Sequence, residues 1–203
     1  MARDAKDAVN SYITDMLSLE EHIEKAIKGQ FQDLKQYADF ESELRQFHRK
    51  VEHHISDLKE LKSRRDAGGV AEAIKRAGAA VAGAGAAVID IIRTEGLPKN
   101  LRDDYTAFNL ATIGYLMLYT TALSLGDREV SELARQHYTD YTAAVMRLHN
   151  LTPAAVVRYL QEEGLPAMET VLPEVNRVST EAWRQAPEQQ PSGTSASAAA
   201  RQL

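Results

Sequence analysis

Cysteine is absent from all 203 residues, which removes disulfide frameworks, thiolate metal sites and cysteine nucleophiles together and agrees with a reducing, cytoplasmic location. Excess positive charge is absent as well. A formal net charge of -5 argues against general affinity for nucleic acid, and the basic run Lys59, Lys62, Arg64, Arg65 is broken by Glu60 and Asp66, as in a solvated helix end. No stretch is long and apolar enough to cross a membrane. The nearest, residues 77–92, is mostly alanine and glycine, falls short of the about 20 residues a span needs, and carries Asp90. Residues 1–7 are charged without a following apolar region, so they do not resemble a secretion signal. Strand patterns, fixed-period repeats, phosphate-cradling glycine loops, zinc spacings and a nucleophile beside its base are all missing.

What the chain does contain is helical periodicity. Its 44% hydrophobic content and length suit one substantial core. A first helix is expected from about Asp4 into the thirties, with Val9, Ile13, Met16, Ile23 and Ile27 on its buried stripe and Glu20 in that same stripe. A turn near Tyr37-Ala38-Asp39, with Asp39 as cap and Glu41 and Glu43 in the first turn, opens a second helix that runs to about Asp66 and stops at Gly68-Gly69. Leu44, Phe47, Val51, Leu58 and Leu61 mark its inward stripe, which takes in His54, with Lys50 one turn earlier at the edge. Residues 70–95 are rich in alanine and glycine. Because Ile74, Val81, Val88, Ile89, Ile91 and Ile92 give them material to bury, they read as a packed helical crossover rather than a flexible linker.

Gly96 ends that element and Pro98 opens a third helix, with Leu101, Tyr105, Phe108, Thr112, Tyr115 and Tyr119 as its stripe and Asn109 beside it. Gly126 closes the third helix and Asp127 caps a fourth, whose stripe takes Val130, Leu133, His137, Asp140, Ala144 and Leu148. The short turn makes these two antiparallel neighbours. Thr152-Pro153 reads as a cap and first-turn proline of a separate short helix closing at Gly164, and Pro166 introduces a last segment over residues 167–184 that Pro173 is placed to interrupt or kink. Beyond residue 186 the chain is polar and small, the composition of a disordered tail. The expected fold is all-α: a four-helix bundle over residues 1–152 with a long crossover between helices 2 and 3, a C-terminal helical extension over residues 153–185 packed on or beside it, and a tail over residues 186–203.

Each principal helix carries a polar residue in or beside its stripe: Glu20, His54 with Lys50, Asn109, and Asp140 with His137. At a common depth these form a polar cluster inside the core, where an unpartnered group costs about 1–3 kcal/mol.

The run Met16-Leu17-Ser18-Leu19-Glu20-Glu21-His22-Ile23-Glu24-Lys25-Ala26-Ile27, the stretch His54-Ile55-Ser56-Asp57-Leu58, the small-residue crossover and Phe108-Asn109-Leu110-Ala111-Thr112-Ile113-Gly114 resemble the ferritin-like bacterial proteins of the YciE/YciF type, over residues 8–151. The resemblance implies a ferritin-like bundle, relatives that hold two metal ions between carboxylates and histidines, and a stress-response setting. On that pattern Glu20 matches the first-helix glutamate and His54 stands where the group has histidine or glutamine. The acidic residue before it falls on Lys50, the third-helix glutamate on Asn109, and the fourth-helix acidic pair near Asp140 and Tyr141.

Two divalent cations bring four positive charges, which a ferritin-like site meets with several carboxylates plus neutral histidines. Here Glu20 and Asp140 are the acidic residues on offer, and a lysine ammonium repels a cation while pairing with carboxylates. Lys50 is therefore expected to stand in for the metal, holding both Glu20 and Asp140. Plainer readings have Lys50 snorkelling to solvent, Glu20 turned outward beside Glu21 and Glu24, and His54 as a satisfied core histidine, with His137, His48, His53 and His22 at the surface or boundary and Tyr105, Tyr115 and Tyr119 packing the core.

Two functions compete on this reading. One is a non-catalytic, stress-associated, oligomeric ferritin-like protein with an eroded metal site, acting through assembly or partner binding. The other is an iron- or manganese-binding oxidoreductase with one remaining site built from Glu20, His54, His137 and Asp140. A protein partner could also meet the C-terminal helices through Trp183 and Leu172.

Overall fold

The computed structural model describes residues 4–66 and 96–185. Within them the chain forms five α-helices and a single 3-10 turn: α1 (Ala5–Gln30), α2 (Ala38–Asp66), α3 (Leu97–Ser124), α4 (Arg128–Glu162), a turn over Glu169–Val171, and α5 (Leu172–Gln185). The protein is an all-α packed bundle. The crossover over residues 70–95 and the tail over residues 186–203 lie outside the described residues.

Capping sets the starts of two helices. The Asp4 carboxylate accepts from the backbone N–H of Lys6, and the Asp127 carboxylate accepts from that of Val130. α2 begins at Ala38, so Asp39 lies inside the first turn with Glu41 instead of capping it, and both charges face the positive end of the helix dipole.

End contacts define the topology. Arg65 joins Asp127 at 2.7 Å at one end of the bundle, while Gln30 meets Asp104 at 2.7 Å at the other. α1 is thus antiparallel to α2 and α3, α3 is antiparallel to α4, and α2 runs parallel to α3 with its C-terminus at the opposite end from the start of α3.

The stripes of α1 and α2 are buried where periodicity puts them. α3 is rotated from the expected stripe: Leu101, Asp104, Phe108, Ala111, Tyr115, Leu118 and Ala122 face inward, while Tyr105, Thr112 and Tyr119 sit on the flank. The reason is packing of small residues. Ala111 and Ala122 of α3 and Ala134 of α4 are fully enclosed, which lets these two helices make the most extensive contact in the bundle. α4 turns by the same logic, so that Tyr141 points inward and Asp140 lies at the boundary.

Pro153 does not open a new helix. α4 runs unbroken through it to Glu162, and the Thr152 hydroxyl donates to the Leu148 carbonyl instead of capping. An interior proline loses a hydrogen bond, but Ala155 and Val157 are buried beyond it, Tyr37 bonds Glu162, and Arg158 lies over the Tyr37 ring. Tertiary contacts outweigh the local stop. Pro173, at the second position of α5, starts that helix rather than interrupting it, because its missing N–H has no role there.

Gly96 adopts φ 93°, and a Cβ there would lie 2.8 Å from the Tyr159 ring. Gly96→Ala is therefore expected to destabilise the protein by about 1–3 kcal/mol, since both the left-handed backbone and the ring resist a side chain. Gly29, inside α1 with nothing within 4 Å of its would-be Cβ, should gain about 1 kcal/mol on conversion to alanine. Urea unfolding of the two variants, followed by helical circular dichroism, should give shifts of opposite sign.

Candidate functional site

All four long helices converge on Glu20. The carboxylate sits mid-way along α1, is fully buried, and accepts hydrogen bonds from Tyr115 Oη of α3 at 2.6 Å, Tyr141 Oη of α4 at 2.5 Å and His54 Nδ1 of α2 at 3.1 Å. Burial first, and the Glu20 charge second, push both tyrosine hydroxyls well above their ordinary range. They remain phenols and act as donors.

His54 links this centre to the rim. Its Nε2 lies 3.4 Å from Asp140 Oδ2, so its two ring nitrogens face two different carboxylates. Lys50 Nζ closes the row on Asp140 Oδ1 at 2.6 Å. Burial alone would raise the Asp140 carboxyl, but the hydrogen bonds from Lys50 and His54 prevail and hold it below its usual value.

His137 stacks on His54, with ring centroids 3.8 Å apart and planes at 22°. It is fully buried, as its place in the α4 stripe requires, which corrects the expectation of a surface or boundary position. Burial, then the neighbouring His54 charge, lower its pKa to about 4 despite the opposing pull of Asp57. A neutral His137 donates from Nε2 to Asp57 Oδ2 at 3.1 Å, leaving a lone pair on Nδ1, which is buried and has no hydrogen-bond partner. The stacked pair and the bridges Lys50–Asp140 and His137–Asp57 join α2 to α4, whose backbones scarcely touch.

Two expected members take other positions. Lys50 does not reach into the centre: it pairs with Asp140 alone and its side chain is half exposed, since it springs from the edge of the α2 stripe and the inner position belongs to His54. The group that touches both Glu20 and Asp140 is His54. Asn109 lies on the flank of α3 and its amide donates to the Tyr105 carbonyl of its own helix at 2.8 Å, because it stands beside the inward face that Tyr115 occupies. Glu20 does not turn outward. Trp183 is half exposed, and its indole N–H donates to His149 Nε2 at 3.3 Å, which ties α5 to α4. Leu172 is only partly buried.

Among the described residues, Glu20, His54 and His137 offer ligand atoms within 4.8 Å of one another, and so do Glu24, His48 and Glu52 at the α1–α2 surface. A pair of divalent ions does not fit the central donor set. Glu20 is its one enclosed carboxylate and already receives three donors, while Asp140 is neutralised by Lys50. One ion at Glu20, His54 and His137 is compatible with the unpartnered Nδ1. The depression beside His54, lined by Phe47, Lys50, Phe108, Asp140 and Ala144, has about 10 Å³ of free space, room for a single water at most.

A second buried polar group, which the sequence reading missed, lies where the end of α1 meets the start of α3. Gln30 Nε2 donates to Asp104 Oδ1 at 2.7 Å, while Gln30 Oε1 and Asp104 Oδ2 are buried without partners. Desolvation, offset in part by Gln30 and reinforced by Asp103, raises the Asp104 pKa to about 7. Its signal was the polar Asn100-x-x-Asp103-Asp104 at the head of an otherwise apolar helix.

No protein-family model matches this chain, and no curated protein matches it. Among solved structures, the crystal structure of the protein XCC3681 from Xanthomonas campestris pv. campestris superposes with a TM-score of 0.62 over 79% of this chain and 99% of that one, at 15% sequence identity. The likeness is one of fold: this chain is a helical bundle built like that of the Xanthomonas protein.

Proposed function

We propose that this is a non-catalytic ferritin-like protein in which a hydrogen-bonded polar cluster occupies the place of a dimetal centre, and which acts through assembly or partner binding. The observation that carries the reading is the saturation of Glu20 by Tyr115, Tyr141 and His54, with Lys50 balancing Asp140 at the rim. Four helices thereby share one satisfied network, a source of rigidity that needs no ion. The lack of room for a substrate beside His54 supports the same reading. A stress-response role and a cytoplasmic location are expectations from the resemblance and the composition. Among the described residues no helix is long and apolar enough to cross a membrane.

The lone pair of His137 favours a second reading, a site for one iron or manganese ion at Glu20, His54 and His137, with Asp57 orienting His137 from outside. Elemental analysis and calorimetric titration of the purified chain with manganese(II) and iron(II) separate the two. The proposal expects no tight binding and no effect of a chelator on the melting temperature. One ion held at micromolar strength or better, and lost in Glu20→Ala, would establish the second reading, and two tightly held ions would refute both.

A further inference from the structure

We propose that the outer face of α3 is the contact between two copies of this chain. From Tyr105 to Gly126 the sequence has no charged residue and no histidine. The outward side chains of that stretch are large and apolar: Leu110 is 43% exposed, Ile113 54%, Leu116 39%, Met117 46% and Leu123 58%. They recur at helical spacing and form one continuous strip. Three of the polar residues along it donate a hydrogen to their own helix. Thr106 donates to the Arg102 carbonyl, Asn109 to that of Tyr105, and Thr120 to that of Leu116. Covering this strip therefore desolvates no charge and few side-chain donors.

The occupant follows from symmetry and area. A strip without charge of either sign gives a partner of a different kind nothing to recognise electrostatically, but it does not repel a copy of itself. Together the five side chains expose on the order of 500 Å² of apolar surface, near the top of the range for a monomer's largest patch. Two copies face to face bury about 1,000 Å², the size at which a specific contact becomes sustainable. An antiparallel crossing of α3 on its twin also opposes the two helix dipoles. This deepens the assembly reading above by naming its surface, and it stands apart from the polar core: a metal titration does not test it, and a monomer would leave the polar cluster as it is.

Sedimentation equilibrium and light scattering of the full chain should give twice the 22.5 kDa chain mass. Ile113→Glu with Met117→Glu should give monomers with unchanged helical circular dichroism, since both side chains lie outside the core, and should weaken association by 100-fold or more. The chain has no cysteine of its own, so Ile113→Cys or Met117→Cys should form a covalent dimer on mild oxidation, while the exposed control Val156→Cys should not. A wild-type monomer, or a double-glutamate variant that remains dimeric, would overturn the proposal. A monomer whose Ile113→Cys thiol resists maleimide would instead put a segment of the same chain over the strip, and a monomer that floats with phospholipid vesicles would assign the strip to a lipid surface; either result overturns it.

Discussion

Asp104→Asn is expected to stabilise the protein at pH 8 by up to about 4 kcal/mol while leaving its stability near pH 4 almost unchanged. Asp104 is buried against Gln30, and both of the unpartnered atoms in this pair are acceptors, Gln30 Oε1 and Asp104 Oδ2. One proton on Asp104 Oδ2 supplies the donor the pair lacks and makes an acid–amide couple. The charged groups that act on it are few: Asp103 follows it on α3, and the Arg102 guanidinium is engaged by Asp103. The folded carboxyl titrates at about 7, against 3.8 for a free aspartate. Between those two values the folded chain keeps a proton that the unfolded chain has lost, so stability present below pH 3.8 declines as the pH rises to 7. Asparagine supplies the missing N–H at every pH and removes that decline. Urea unfolding between pH 4 and pH 9 measures it directly: parallel curves for the two proteins would mean that Asp104 does not carry the proton.

Glu20→Ala should cost about 3–5 kcal/mol, the range for breaking one member out of a buried charged network. The loss has three parts: the Tyr115 and Tyr141 hydroxyls lose their acceptor, His54 loses its inner hydrogen-bond partner, and a cavity opens where four helices meet. Glu20→Gln retains the shape and should cost about 1–3 kcal/mol, because one donor meets an amide that can no longer accept from all three. Adding Tyr115→Phe and Tyr141→Phe to Glu20→Ala should recover part of the loss, since groups in one network do not contribute additively. Denaturant midpoints for the set would test this. A loss below about 1 kcal/mol for Glu20→Ala would show that the carboxylate does not organise the core.

Helical class, the starts of α1 and α2 to within a residue or two, and their inward stripes were legible in the residues, because spacing of 3.6 acts locally and needs no knowledge of a partner. So was the conflict at Glu20 and His54, polar groups placed where the pattern demands apolar ones. Which groups answer them was not legible. The rotations of α3 and α4 depend on how closely Ala111, Ala122 and Ala134 let two helices approach, and on α4 the turn puts Tyr141 rather than Asp140 at the centre. Pro153 shows the same division: its local preference ends a helix, yet contacts beyond it at Tyr37 and Glu162 carry α4 through. The single chain thus determined which residues would be forced inward, and only the packing of one helix against another decided which neighbour each of them would find.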